Sequence, residues 1–191
     1  MSWFFSSSPK ETTFTVTLNK EYLENEIIND NVAFVEAVIN NKSNKIDYED
    51  LKLLKLAIVH KKDKIVSLLV KDKRINPSTK NVEFFNEAIN SKNDNTLTHL
   101  LSVKSMDPSY DNNYLFRYLK NVNKKNLIYT VITHPNFKAT SDIQETVNAY
   151  KAKKEAEEKA LKEAEEKAIK EAEEKAKKEA EEKTLEEKET E

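Results

Sequence analysis

The chain contains no glycine among its 191 residues. Glycine is the residue that most readily adopts left-handed backbone conformations, and it lets a backbone approach a phosphate group closely. Its absence excludes a P-loop, a GxGxxG dinucleotide loop and a GxSxG nucleophile elbow, because each of these motifs needs glycine at fixed positions. The chain must make its tight turns with other residues, and the enzyme classes built on these motifs are excluded.

The composition limits the core and the chemistry further. Cysteine is absent, which excludes disulfides, thiol catalysis and cysteine-bound zinc and favours a reducing compartment. Charged residues make up 35% of the chain and apolar residues 38%, so the apolar residues must be concentrated in one part. The net charge of −2 favours neither nucleic acid nor an acidic membrane. The apolar run Trp3–Phe5 is too short for a signal sequence or a membrane span, so we expect an intracellular, cytoplasmic protein.

The character of the sequence changes near residue 150. Residues 151–191 contain 12 lysines and 16 glutamates and repeat an octad that begins with KEAEEKAL at Lys154. Seven Glu–Lys pairs in this segment have the i,i+4 spacing and the order that support a helix, each contributing about 0.2–0.5 kcal/mol. The sequence therefore predicts a helix from about Asp142 to about Lys188, about 70 Å long at roughly 1.5 Å per residue.

The octad does not produce a coiled-coil seam, although its composition is of the coiled-coil type. Eight residues turn an ideal helix by about 800°, so equivalent residues lie about 80° apart around its axis, as Leu161 and Ile169 would. A heptad seam needs apolar residues about every 3.5 positions. We expect a single solvent-exposed helix that acts as a rod or spacer. A disordered tail and a partner-bound or self-associated helix are the alternatives.

An internal repeat of 31 residues runs through the first part of the chain. The segment Leu53–Ile58 aligns with Phe84–Ile89, and INPS at Ile75 aligns with MDPS at Met106. A third copy follows, and a weaker copy precedes them from about Tyr22. Apolar residues recur at i, i+3 and i+4 within each copy, which predicts two short helices and a loop.

The first clear copy illustrates the predicted unit. Its helices are expected at about Tyr48–His60 and Lys62–Lys71, and its loop at Asp72–Lys80. Such a pair of helices buries its apolar stripes only by stacking on neighbouring pairs. The sequence therefore predicts an all-α fold: a short helical-repeat solenoid of three clear copies and one weak copy, followed by the long helix.

The repeat resembles a known family. Ala57, the paired aliphatics Ile65-Val66 and Leu69-Val70, and the INPS ending are similar to degenerate ankyrin repeats of large DNA viruses and protists. The resemblance covers about residues 20–140. The usual Thr-Pro-Leu-His opening is missing and other residues replace the glycine between the helices, so we expect short loops in place of β-hairpin fingers. A generic helical-repeat bundle is the structural alternative. The resemblance implies a non-enzymatic module that binds proteins through its concave face and loop tips.

The N-terminal segment has a strand pattern. Phe14, Val16 and Leu18 alternate with threonines, and this strand would pair with Trp3–Phe5 in a hairpin. We expect an N-terminal cap on the repeats; an exposed anchor for a partner or membrane surface and a flexible arm are the alternatives. The predicted domains are an arm or cap at 1–19, a repeat domain at 20–141 and a charged helical tail at 142–191.

No catalytic, cofactor or metal site is predicted. None of the three histidines, His60, His99 and His134, has another at i,i+3 or i,i+4, the spacing that would place two ligands on one helix face. The acidic cluster at 47–50 suits the first turn of a helix. The basic stretch at 52–74 is expected to be a solvated face or, alternatively, a site for an acidic partner. An enzyme would need a deep polar pocket, which nothing in the sequence indicates.

These observations favour an interaction module with an unknown protein partner, most simply a monomer. The alternative is a structural component of a larger assembly in which the charged helix is the attachment element. The loop tips are the predicted partner-binding sites, and the candidate residues there are Lys73, Arg74, Asn76, Asp107, Tyr110 and Asn112.

Overall fold

The computed structural model describes residues 19–49 and 51–189, with side chains up to residue 175. All regular structure in this part of the chain is helical, which confirms the all-α prediction there. The predicted N-terminal hairpin lies outside the described residues. The α-helices are α1 Lys20–Ile28, α2 Val32–Asn40, α3 Lys52–Val59, α4 Asp63–Lys71, α5 Asn81–Asn90, α6 Asp94–Leu101, α7 Tyr110–Asn121, α8 Lys125–Thr133 and α9 Gln144–Glu189, with a 3₁₀ turn at Pro77–Lys80.

The helices from α1 to α8 form pairs whose internal breaks lie 31 residues apart. At each break one residue has a left-handed backbone, with φ between 52° and 62°: Asp30, Lys61, Lys92 and Asn123. The next residue donates its N–H to a carbonyl five positions back, as Lys62 does to Ala57 at 2.8 Å. This is a Schellman motif, in which glycine normally takes the left-handed position. Lysine, asparagine and aspartate fill that position here.

The first compact unit ends at Val103 and contains three helix pairs. The first helices of the pairs, α1, α3 and α5, pack side by side, and so do the second helices, α2, α4 and α6. The apolar stripes of both layers form the core, since burial of each large side chain contributes about 1.5–3 kcal/mol. Side chains fully buried in this unit include Leu54, Ile58, Ile65, Leu69, Phe84, Phe85 and Leu97.

Helix α3 begins later than the sequence predicts. The predicted start was Tyr48, but Glu49 and Leu51 have φ angles of 47° and 65°, so regular right-handed helix begins at Lys52. Tyr48 and Leu51 are nevertheless buried. The apolar residues that extend the predicted helix are thus buried beside left-handed residues, because burial alone does not distinguish the two conformations.

The second compact unit begins at Lys104 and contains α7, α8 and α9. Three successive left-handed residues, Asp111–Asn113, occupy the start of α7. Asn113 is fully buried. Its side-chain amide donates to the carbonyl of Lys138 at 2.9 Å, and its Oδ1 accepts from the N–H of Thr140 at 2.9 Å. These bonds hold a backbone turn that costs about 1–2 kcal/mol per residue for most side chains.

Helix α9 has a packed start and an exposed continuation. Val147 is buried, and the ring of Tyr150 lies edge-on to Phe116 and Tyr129, with centroids 6.3 and 6.1 Å apart. The expectation of a helix that packs on nothing is therefore wrong for its first turns. By the 31-residue register the start of α9 corresponds to a further first helix, but it packs mainly on α8. A break would fall at Lys154, 31 residues after that in α7–α8, but the helix continues through it.

All side chains of residues 155–175 are exposed. Ion pairs along this segment, such as Lys159–Glu163 at 3.8 Å and Lys167–Glu171 at 3.7 Å, have lysine before glutamate. The predicted pairs had the opposite order. Each of these lysines has a glutamate four residues away on both sides, so the octad offers either pairing.

Candidate interaction surface

An ion pair with a buried carboxylate fixes the loop that follows α4. Arg74 donates from Nη2 to Asp72 Oδ2 at 2.7 Å and from Nε to Asp72 Oδ1 at 2.8 Å. Lys42 Nζ donates to the same Oδ2 at 2.8 Å. The guanidinium also donates to the carbonyl oxygens of Ile39, at 2.6 Å, and Asn44, at 2.7 Å. Arg74 therefore ties its own loop to the loop of the preceding helix pair.

The electrostatics of this pair follow from its enclosure. The Asp72 side chain is 3% exposed. The hydrogen bonds from Arg74 hold the pKa of the Asp72 carboxyl well below its usual range, and the carboxylate raises the pKa of Arg74. Removing one partner from an enclosed pair is costly because the other is left unpaired. Arg74, a predicted partner contact, thus has a structural role inside the fold.

In the second unit the same two repeat positions hold His134 and Asn136. The N–H of Asn136 donates to His134 Nδ1 at 3.2 Å, as the N–H of Arg74 donates to Asp72 Oδ1 at 2.9 Å. The Asn136 amide then donates to the carbonyl of Lys104 at 2.7 Å. Two different side chains therefore anchor a preceding loop from the same repeat position.

Asn76 and Asp107, two other predicted contacts, are equivalent positions in successive repeats. Asn76 Oδ1 accepts from the N–H of Ser78 at 3.3 Å, and Asp107 Oδ1 accepts from the N–H of Ser109 at 2.8 Å. Both residues are exposed. These are Asx turns, which asparagine and aspartate form readily. Turn geometry thus accounts for the recurrence that singled out these residues, and partner contact stays a prediction.

The remaining predicted contacts differ in their surroundings. Tyr110 is 9% exposed, and burial raises the pKa of its hydroxyl, so the expectation of an exposed ring is wrong. Asn112 is exposed, and its carbonyl accepts from Arg117 Nε at 2.9 Å. Lys73 is exposed and makes no ion pair with the described residues. Partner binding at Lys73 and Asn112 stays a prediction.

The exposed face of α1, α3 and α5 carries paired charges. Lys52 of α3 binds Glu24 of α1 at 2.9 Å, and Lys55 of α3 binds Glu83 of α5 at 2.6 Å. Exposed pairs of this kind contribute at most about 1 kcal/mol each. The two lysines belong to the basic stretch predicted at 52–74, and they satisfy acids of the same surface.

The face of α2, α4 and α6 carries a shallow groove formed by two cavities of about 320 and 590 Å³ that share Leu68. The smaller lies toward α6, and its lining includes His99. The larger lies between the ends of α2 and α4, and we call it the α2–α4 groove. Its lining residues are Ile39, Asn40, Lys42, Leu68, Lys71, Asp72, Lys73 and Arg74.

Asp63 joins α4 to α6 beside this groove. Its carboxylate accepts from Asn93 Nδ2 at 2.6 Å and from Asn95 Nδ2 at 2.9 Å. Sequence reasoning missed this residue. The repeat-equivalent positions hold a valine, a second aspartate and a lysine, so no periodic signal marks it.

The described residues contain no group of three or more histidine, aspartate or glutamate side chains placed to hold a metal ion. None of the described helices is both long and apolar enough to span a membrane. Comparison with protein-family models, with curated proteins and with solved structures finds no match to this chain. The functional interpretation therefore rests on the residues and their geometry.

Proposed function

We propose that the chain is a non-enzymatic protein–protein interaction module, an ankyrin-like helical-repeat solenoid that carries an exposed helical rod. The main support is the way each unit anchors its loops. Arg74 binds the carbonyl of Ile39 at the end of α2 and that of Asn44 in the loop that follows, and Asn136 binds the carbonyl of Lys104 in a preceding loop. A loop fixed from within loses little conformational freedom when it binds, so its exposed side chains make an effective recognition surface.

The exposed loop residues supply the recognition chemistry in this proposal. Lys73 projects from the loop after α4, which Arg74 holds, and Asn112 projects from the left-handed start of α7, which Asn113 holds. Asn76 and Asp107 shape their turns and remain accessible to a partner. A partner would thus read charge and hydrogen-bonding groups that differ between the repeats, on loops of recurring geometry.

Helix α9 serves as a spacer in this proposal. It runs without a break from its packed start into the exposed segment that follows Lys154. The 30 residues from position 160 to Glu189 correspond to about 45 Å at roughly 1.5 Å per residue. An attachment at the far end of α9 would lie about this distance from residue 160.

Affinity capture from native cytosol tests the proposal with two baits, the full chain and a chain that ends after Lys159. This cut keeps Val147, Tyr150 and the Lys125–Glu157 ion pair at 2.6 Å. A protein enriched equally by both baits supports recognition by the repeats. A protein captured only by the full chain moves recognition to the rod, and no specific capture by either bait contradicts the proposal.

The alternative function is a structural component of a larger assembly with α9 as its attachment element. The exposed apolar side chains of α9 favour it, since Leu161 and Ile169 are 61% and 58% exposed. In that case deleting residues 162–169 alters co-sedimentation with the assembly. Scrambling the same octad while its Glu–Lys spacing is kept leaves co-sedimentation unchanged.

A further inference from the structure

We infer that the α2–α4 groove binds an acidic peptide segment in which one apolar side chain is flanked by carboxylates. The inference rests on the proposed interaction function and adds to it a surface and a partner chemistry. It assigns recognition to the second-helix face of the first unit.

The first step of the argument is the charge around the groove. Four cationic side chains line it, and Asp72 is the acid among its lining residues. The Asp72 carboxylate already accepts hydrogen bonds from Arg74 and Lys42. Lys71 and Lys73 are exposed and have no ion-pair partner among the described residues. The groove therefore presents uncompensated positive charge, which favours a negatively charged ligand.

The opposite face of the same unit provides the contrast. There the lysines of α3 are paired with glutamates of α1 and α5. A carboxylate ligand would have to displace those glutamates, whereas at Lys71 and Lys73 it replaces water. Charge complementarity thus favours the second-helix face over the first-helix face.

The second step concerns the floor of the groove. Leu68 is partly exposed and contributes to both cavities, and Ile39 lines the larger one. A volume of about 590 Å³ is within the range of ligand pockets and suits one large apolar side chain with its flanking backbone. A purely ionic ligand would leave the apolar floor uncovered, so a ligand with an apolar side chain fits better. The lysines at the rim would then bind the carboxylates of that ligand.

The neighbouring cavity limits the direction of the ligand. It contains one exposed lysine, Lys64, and two acids: Glu36, which is exposed, and Asp63, whose carboxylate accepts from Asn93 and Asn95. The larger groove has four cationic side chains, so it carries more positive charge than its neighbour. An acidic segment would therefore place its carboxylates toward Lys71 and Lys73.

The experiment titrates the full chain against a fluorescent heptapeptide with a central leucine flanked by glutamates, followed by anisotropy. The Lys71→Glu, Lys73→Glu double variant should weaken binding about tenfold, because two ion pairs are lost and repulsion replaces them. Raising the salt concentration from about 50 to about 500 mM should weaken it similarly. The matched control is Lys104→Glu with Lys138→Glu, which makes the same charge change at exposed positions outside the groove.

A second comparison tests the floor. A peptide with serine in place of the central leucine should bind less tightly to the unmodified chain, and Leu68→Ser should remove that preference. Circular dichroism of each variant verifies that the fold is retained.

Three outcomes overturn the inference: no binding of the peptide, equal binding by the Lys71/Lys73 variant, or equal weakening by the control variant. Sedimentation velocity tests the source of the segment: self-association of the full chain that Lys71→Glu and Lys73→Glu abolish would support the inference, with a second copy of the chain as the partner. None of these results decides the proposed function, because the capture experiment reports on any partner of the repeats, whether or not it binds this groove.

Discussion

At the scale of single residues, the loops of the first unit depend on Asp72. Its carboxylate is the common acceptor for Arg74 and Lys42, and Arg74 in turn holds the carbonyls of Ile39 and Asn44. Loss of the carboxylate would leave the half-buried guanidinium of Arg74 without its charge partner. The contribution of the pair is therefore conditional on the ionisation of Asp72.

Asp72→Asn is expected to destabilise the first unit by about 2–4 kcal/mol near neutral pH. The folded-state pKa of Asp72 is lowered, so its stabilisation is present above the unfolded-state pKa of about 3.9 and is lost as the pH falls through the lower folded-state value. The difference in unfolding free energy between the unmodified chain and the Asp72→Asn variant should therefore become smaller below about pH 4. Urea unfolding midpoints measured from neutral to acidic pH provide the comparison.

Asp107→Asn is the matched control for this prediction. Asp107 is exposed, and asparagine retains its Asx turn. Its effect should stay within about 0.5 kcal/mol. A pH-independent difference for Asp72→Asn would contradict the assigned role of the ion pair.

The sequence identifies candidate loop residues because they recur at equivalent repeat positions. A residue recurs for a shared turn structure as readily as for a shared role in binding. Asn76 and Asp107 recur because both form the same turn. Tyr110 was expected at a loop tip, but the left-handed residues after it turn its ring into the core. Hydrogen bonds such as those of Asn113 with residues about 25 positions away leave no local pattern, so sequence reasoning could not find them.

At the scale of elements, the helix breaks show how a chain without glycine makes Schellman turns. Four residues with side chains adopt the left-handed conformation at intervals of 31. The helices themselves were predictable, because apolar residues at i, i+3 and i+4 define their buried faces. The left-handed conformation at the breaks was not predictable, because the lysines at positions 61 and 92 give no local signal for a positive φ angle.

Lys61→Gly is expected to stabilise the first unit by about 0.5–1 kcal/mol. Glycine removes the cost of about 1–2 kcal/mol that a side chain adds to the left-handed conformation. Part of this gain is lost because glycine also increases the conformational entropy of the unfolded chain. Asn123→Gly should gain less, because asparagine tolerates the left-handed conformation better than lysine. The measurement is the urea midpoint of each variant.

The control for these substitutions is Glu36→Gly. Glu36 is exposed in the interior of α2, where glycine should cost about 1 kcal/mol. Destabilisation by Lys61→Gly of the same size as by Glu36→Gly would show that the break does not strain the lysine.

At the scale of the whole molecule, α9 belongs to two environments. Its start completes the packing of the second unit through Val147 and Tyr150, and its continuation is exposed. The sequence marks a change of composition near residue 150, but the packed helix begins before it and the helix crosses it without a break. Composition therefore located the exposed tail and missed the shared helix, because packing depends on a few apolar residues.

A chain that ends after residue 141 should lose about 3–6 kcal/mol of stability in the second unit, since about 1.5–3 kcal/mol is lost for each of the two buried side chains removed. These are Ile143 and Val147. A chain that ends after Lys159 should unfold like the full chain. Amide hydrogen exchange in α7 and α8 distinguishes the two truncations, and equally fast exchange in both would show that the exposed segment also stabilises the unit.

Because α9 runs unbroken from its packed start into its exposed continuation, its length fixes the rotational position of its far end around the helix axis. One turn of helix takes 3.6 residues, so adding a single residue turns everything beyond it by about 100° and advances it by about 1.5 Å. Removing one octad changes the heading by about 80° and shortens the reach by about 12 Å. The number of residues after Tyr150 thus determines in which direction around the helix axis a group at the end of α9 points. An insertion in this tail therefore rotates the end of the helix as well as moving it further away.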